Sequence, residues 1–144
     1  MKQIPPLKAV MTAFPYYIEG DQPVARAREM MAEHGIRHLP VVKDGVLVSV
    51  VTDRDIRLAL GQAAAPVDDG EMLVRDVPAR DAYIVELTEP LDVVVLHMAR
   101  HRTDAALVVK SERLVGIFTM TDACHFLGDL LRALFPRDHG DDAA

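Results

Sequence analysis

Apolar and polar positions along the 144-residue chain run through the same succession twice. Val24, Ala27 and Met31 stand at i, i+3 and i+7, and Leu91, Val94 and Met98 repeat that spacing, which predicts two amphipathic helices. Two short, nearly continuous apolar runs follow each helix, at 39–42 and 46–51 and again at 105–109 and 114–118. Runs so short and so uniformly apolar read as strands buried on both faces. Lys43-Asp44-Gly45 and Ser111-Glu112 interrupt the pairs, and Asp-Gly between β-branched runs is a strong hairpin signal. An extended stretch at 16–19 or 83–86 precedes each helix, with Asp21 or Thr88 as the expected N-cap, Pro23 or Pro90 in the first turn, and Gly35 as the first copy's C-cap. A last helix follows Thr52 or Thr119; it is short in the first copy and runs to about Phe135 in the second, where Pro136 stops it. Each unit therefore reads β-α-β-β-α.

Shifting the chain by 67 residues aligns 10–61 with 77–128 without a gap, and 16 of those 52 positions are identical. Unrelated segments would share roughly four. Two copies are too few for a solenoid, so the expected fold is α/β (α+β): two repeats related by a pseudo-two-fold axis and packed through their sheets. The expected divisions are an N-terminal arm at 1–12 with a helical turn near Leu7, a first repeat at 7–61, a linker at 62–73, a second repeat at 74–135 and an acidic, disordered tail at 136–144.

Composition narrows the class. Half the residues are hydrophobic and 26% charged, which excludes a disordered chain, and no apolar run approaches the ~18 residues that cross a bilayer. The start, Met1-Lys2-Gln3-Ile4-Pro5-Pro6, lacks the apolar core of a signal peptide, and one cysteine, Cys124, precludes an internal disulfide framework; a cytoplasmic address is expected. A net charge of −6 argues against nucleic acid and anionic membrane as partners while leaving room for one local basic patch.

The candidate chemistry lies where strand meets helix. Ser49-Val50-Val51-Thr52-Asp53-Arg54-Asp55 and Gly116-Ile117-Phe118-Thr119-Met120-Thr121-Asp122 share a small residue, two apolar residues, Thr, two residues and Asp. A hydroxyl there adjoins the free N–H groups of a helix N-terminus, which attract phosphate, and a carboxylate one turn on suits a ribose diol. Thr-x-x-Asp is equally a helix capping box that needs no ligand, and capping and binding can coexist.

The repeat, these two motifs and the segment His34-Gly35-Ile36-Arg37-His38-Leu39-Pro40-Val41-Val42 resemble a tandem pair of cystathionine β-synthase (CBS) domains, a Bateman module, over about residues 7–132. The resemblance implies a regulatory module for adenosine derivatives: AMP, ADP or ATP, with S-adenosylmethionine as the alternative. It assigns phosphate contacts to Thr52 and Thr119 and ribose contacts to Asp55 and Asp122. It also implies a crossing that places Arg37 and His38 near Thr119 and Asp122, and Asp104 and Ala105 near Thr52 and Asp55. The second copy departs from the pattern, because Asp104-Ala105 replaces Arg37-His38; Arg54 could offset part of the lost positive charge. On charge alone, the Thr119–Asp122 site is expected to hold phosphorylated ligands more tightly. Neither copy places an obvious aromatic residue for stacking on adenine.

Other candidates carry less. His97 and His101 have the i, i+4 spacing of two zinc ligands but lack an evident third, and His101 repeats His34 at a helix end, which suggests a structural role. Cys124-His125 lacks a third catalytic member and its side chains point about 100° apart on a helix; Cys124 is expected in the core. Met31 and Met98 fall on apolar stripes as core fillers. No catalytic apparatus, catalytic cofactor or metal site is expected, so the chain reads as a non-enzymatic sensor that acts through an unidentified effector protein or its own homodimer. A ligand-free dimerisation scaffold is the rival. The apolar stripe Phe126, Leu127, Leu130, Leu131 and Leu134 is expected to lie in the dimer contact or against the arm.

Overall fold

The computed structural model describes residues 3–63, 67–78 and 81–137; parts of the arm, the linker and most of the expected tail lie outside the described residues. The element order is α1 (Leu7–Val10), β1 (Thr12–Ala13), β2 (Ile18–Glu19), α2 (Val24–His34), β3 (His38–Lys43), β4 (Val46–Thr52), α3 (Asp53–Gly61), a single 3-10 turn (Val74–Asp76), β5 (Ile84–Glu86), α4 (Leu91–His101), β6 (Ala105–Lys110), β7 (Arg113–Thr119) and α5 (Met120–Leu134). The β-α-β-β-α unit occurs twice, as the repeat predicts.

Each unit forms its own sheet. In the first, β3 is central, parallel to β2 and antiparallel to β4; in the second, β6 is parallel to β5 and antiparallel to β7. The arm adds β1 to the free edge of β7, so the second sheet has four strands, in the order β1-β7-β6-β5. The hairpins close on Asp44-Gly45 and Ser111-Glu112, with all four residues at positive φ, the backbone that a two-residue turn between twisted strands demands.

The apolar stripes of the helices close the two cores. Val24, Ala27 and Met31 pack with Leu39, Val41 and Val51 in one, and Leu91, Val94 and Met98 pack with Ala106, Val108 and Phe118 in the other. A third cluster, Leu47 of β4 with Leu107, Val109 and Ile117 of β6 and β7, joins the sheets of the two repeats. The segments leading into the repeats are exchanged: Leu7 is buried in the second core, whereas Val74 and Val77 are buried in the first.

Four details differ from expectation. The run at 46–51, expected to be buried on both faces, forms a β4 whose Val46 and Val48 are 53% and 52% exposed. Pro23 and Pro90, not Asp21 and Thr88, occupy the N-caps of α2 and α4, without a side-chain cap. At α2 the backbone satisfies the donors instead: Val24 N–H donates to Met72 O at 2.8 Å and Ala25 N–H to Asp69 O at 2.9 Å. The linker's end thus acts as the cap. The extended stretches are shorter than expected, since Tyr16, Tyr17 and Tyr83 precede strands β2 and β5. Cys124, expected in the core, is exposed, because α5 buries no residue completely and presses only its Ala123 and Phe126 side against the second core.

Candidate ligand site

Thr52 ends β4 and caps α3. Its Oγ1 accepts from Asp55 N–H at 3.1 Å, and Asp55 Oδ2 accepts from Thr52 N–H at 3.2 Å, a reciprocal capping box. Thr119 and Asp122 repeat it at the start of α5, with Asp122 N–H donating to Thr119 Oγ1 at 3.3 Å and Thr119 N–H to Asp122 Oδ2 at 2.9 Å. Both pairs are therefore structural caps, held at equivalent strand-to-helix junctions.

A cavity of about 440 Å³ opens over the first pair only in part from its own repeat. Thr52, Arg54 and Asp55 form one side. Asp104, just before β6 of the other repeat, and Ala105, its first residue, form the facing side, so the cavity lies across the junction between repeats. His38, expected beside Thr119 and Asp122, lines this cavity because it is the ladder partner of Thr52 in the β3–β4 pair. Arg37, Thr119 and Asp122 are not among its lining residues.

The electrostatics are mixed. Among the described lining residues, Asp55, Asp81 and Asp104 bring three carboxylates, and Arg54 and Arg102 two guanidinium groups. Arg54 makes no ion pair among the described residues, whereas its neighbour Asp53 is bound by Arg57 at 3.1 Å. His38 is half-buried, and burial holds its imidazole below the ordinary histidine range; the Asp104 and Asp55 carboxylates oppose that shift and Arg37 adds to it. The cavity therefore contains a mainly neutral imidazole near neutral pH.

Residues that the motifs did not single out complete the wall. Tyr83 and His101 line the cavity, and Tyr83 stacks on His97 at 3.8 Å between ring centroids, with His97 and His101 4.1 Å apart. The signal for them was the repeat itself, since Tyr16 and His34 are their aligned partners and stack directly on each other at 3.6 Å, whereas His97 stands between Tyr83 and His101. Among the described residues no third His, Cys, Asp or Glu joins His97 and His101 in a possible metal site. Arg102 takes the left-handed C-cap of α4, with φ 53°, and thereby turns the chain into Thr103 and Asp104 at the cavity edge. Among the same residues no helix is long and apolar enough to cross a membrane.

Comparison with known proteins agrees with this architecture. The model of the CBS domain family matches residues 7–62 and again 74–134. The CBS domain-containing protein YhcV of Bacillus subtilis is 29% identical over 116 residues, 81% of either chain. An inosine-5'-monophosphate dehydrogenase of Korarchaeum cryptofilum is 34% identical over 108 residues, which span 73% of this chain but 21% of that enzyme. Among solved structures, AcuB of Vibrio cholerae superposes with a TM-score of 0.81 at 23% identity, covering 94% of this chain and 99% of that one. The CBS domain pair of protein MJ0100, in complex with 5'-methylthioadenosine and S-adenosyl-L-methionine, gives 0.77 at 26% identity over 89% and 99% of the two chains. With two matches covering most of its length and the β-α-β-β-α unit built twice, the chain belongs to the CBS domain family, as a tandem pair.

Proposed function

We propose that the chain is a regulatory module that binds an adenosine-type ligand in the cavity at Thr52 and Asp55 and acts through a partner protein or its own homodimer. The observation that carries this reading is the convergence of the Thr52–Asp55 junction from one repeat with Asp104 and Ala105 from the other around a single cavity. Asp55 suits a ribose diol, Arg54 and the N-terminus of α3 suit one anionic group, and Ala82 and Ala105 with the Tyr83 ring offer an apolar wall for a base. The MJ0100 pair, crystallised with two adenosine derivatives, supports the class.

Charge refines the choice among AMP, ADP, ATP and S-adenosylmethionine. Among the described lining residues three carboxylates face two guanidinium groups, a balance that disfavours a triphosphate. At ~6 Å and an effective dielectric of ~20, one added like-charge contact costs a few kcal/mol before screening. AMP and the cationic S-adenosylmethionine therefore rank above ATP. Calorimetric titration with all four is the test. Asp55→Ala should weaken the tightest event by more than tenfold, since a hydrogen bond to a charged group contributes ~1.5–3 kcal/mol. No binding by the wild type, or unchanged binding by a folded Asp55→Ala variant, overturns the reading.

A second reading, a dimerisation scaffold that needs no ligand, is favoured by one observation. Leu127, Leu130, Leu131 and Leu134 on α5 all remain exposed, beside an exposed Phe135. The two readings are compatible if α5 forms the contact through which a ligand signal passes.

A further inference from the structure

The two Thr-x-x-Asp junctions are equivalent in sequence but not in occupancy. Thr12 Oγ1 in the arm donates to Asp122 Oδ1 at 3.2 Å, while Thr119 N–H and Oγ1 donate to Oδ2 at 2.9 and 3.2 Å. Both oxygens of Asp122 are thus engaged within the chain. The arm is held there by the β1–β7 ladder, with Thr12 opposite Ile117 and Ala13 opposite Gly116. Met11 lies so close over Gly116 that a Cβ at that position would overlap its sulfur. Among the described residues Asp55 accepts only from Thr52 N–H, at 3.2 Å, and it borders the cavity.

The asymmetry is written in the repeat. The residue aligned with Thr12 is Ala79, which has no hydroxyl to donate, and the residue aligned with Gly116 is Ser49, which has the Cβ that the seat of Met11 over Gly116 excludes. We propose that Thr12 is a tethered competitor at Asp122, its hydroxyl holding the carboxylate that a ligand's sugar diol would use. A second adenosine-type ligand then binds only when β1 lifts from β7. This inference rests on the reading of the Thr-x-x-Asp pairs as ribose sites.

The arm is built to open locally. Its anchor, Leu7, is fully buried in the second core, whereas Thr12 and Ala13 are exposed and Phe14 is 88% exposed at a left-handed φ of 48°. A two-residue edge strand opens at much lower cost than a core element, so residues 11–14 can leave while Leu7 keeps them tethered. The tether returns the hydroxyl at high effective concentration. The ligand's apparent affinity for the second site falls by the fraction of chains with the arm in place.

Calorimetric titration of the full chain with AMP and with S-adenosylmethionine tests the gate. The wild type should take up one equivalent tightly at Thr52–Asp55 and a second weakly at Thr119–Asp122, the reverse of the ranking expected from charge alone. Thr12→Val, which keeps the shape and removes the donor, should strengthen the second event roughly three- to tenfold and leave the first unchanged. Thr12→Ser should match the wild type, and Asp55→Ala should lose the first event and keep the second. Two equal events in the wild type, or an unchanged second event in Thr12→Val, overturns the gate and leaves the ribose reading standing. Absence of binding in both the wild type and Thr12→Val overturns the ribose reading and the gate with it.

Discussion

Leu7 and Val74 occupy the same place in the repeat, yet each is buried in the core of the opposite unit: Leu7 among Val85, Leu91 and Phe118, Val74 among Ile18, Val24 and Val41. The exchange makes either repeat incomplete without the segment that leads into the other. Leu7→Ala should therefore cost about 2–5 kcal/mol, the range for emptying a buried leucine site, and should loosen β1 as well. Chemical denaturation with hydrogen exchange at Thr12 and Ala13 would show both effects together. A loss well under 1 kcal/mol would mean that the arm contributes little to the second core.

Thr103 offers the opposite sign. Its hydroxyl is buried and, among the described residues, has no hydrogen-bond partner, at the turn between α4 and β6. An unsatisfied buried hydroxyl costs about 1–3 kcal/mol. Thr103→Val keeps the shape, so it should raise the melting temperature by several degrees. A lower melting temperature would show that the hydroxyl has a partner in solution.

His38 gives the stability a pH dependence. Burial depresses its folded-state pKa below the ordinary 6.5, despite the pull of Asp104 and Asp55. The unfolded chain therefore binds this proton more readily than the folded one. Its contribution is complete above about pH 6.5 and is lost as pH falls from there toward the folded pKa. Melting curves between about pH 5 and pH 7.5 should fall more steeply toward acid for the wild type than for His38→Gln. Parallel curves would place the titration elsewhere.

The exposed leucines of α5 predict self-association. Leu127 and Leu131 lie one turn apart on a single face, with 52% and 48% of their surface open. Light scattering at micromolar concentration should give twice the 15.9 kDa chain mass. Replacing both leucines by aspartate should return a monomer with little change in melting temperature, because neither belongs to a core. A monomeric wild type would leave that face without its expected partner.

How much of this was legible in the chain follows from the range of the interactions involved. The 67-residue period, the i, i+3, i+7 stripes and the Asp44-Gly45 turn are local patterns, and they determined the β-α-β-β-α unit, its duplication and the inward-facing residues. The capping boxes at Thr52 and Thr119 were equally local, since three residues of helix geometry fix them. Backbone competition over longer range was invisible: Met72 and Asp69 carbonyls supplied the first caps of α2, and no helix-start rule could name donors' partners some 45 residues away. The exchange of Leu7 and Val74 between cores also belonged to the tertiary structure, because either core would accept either side chain on hydrophobicity alone. The same holds for the site. Residue type marked Thr52, Asp55, Thr119 and Asp122 alike, but only the packing of the arm decided that Asp122 meets Thr12 while Asp55 borders a cavity.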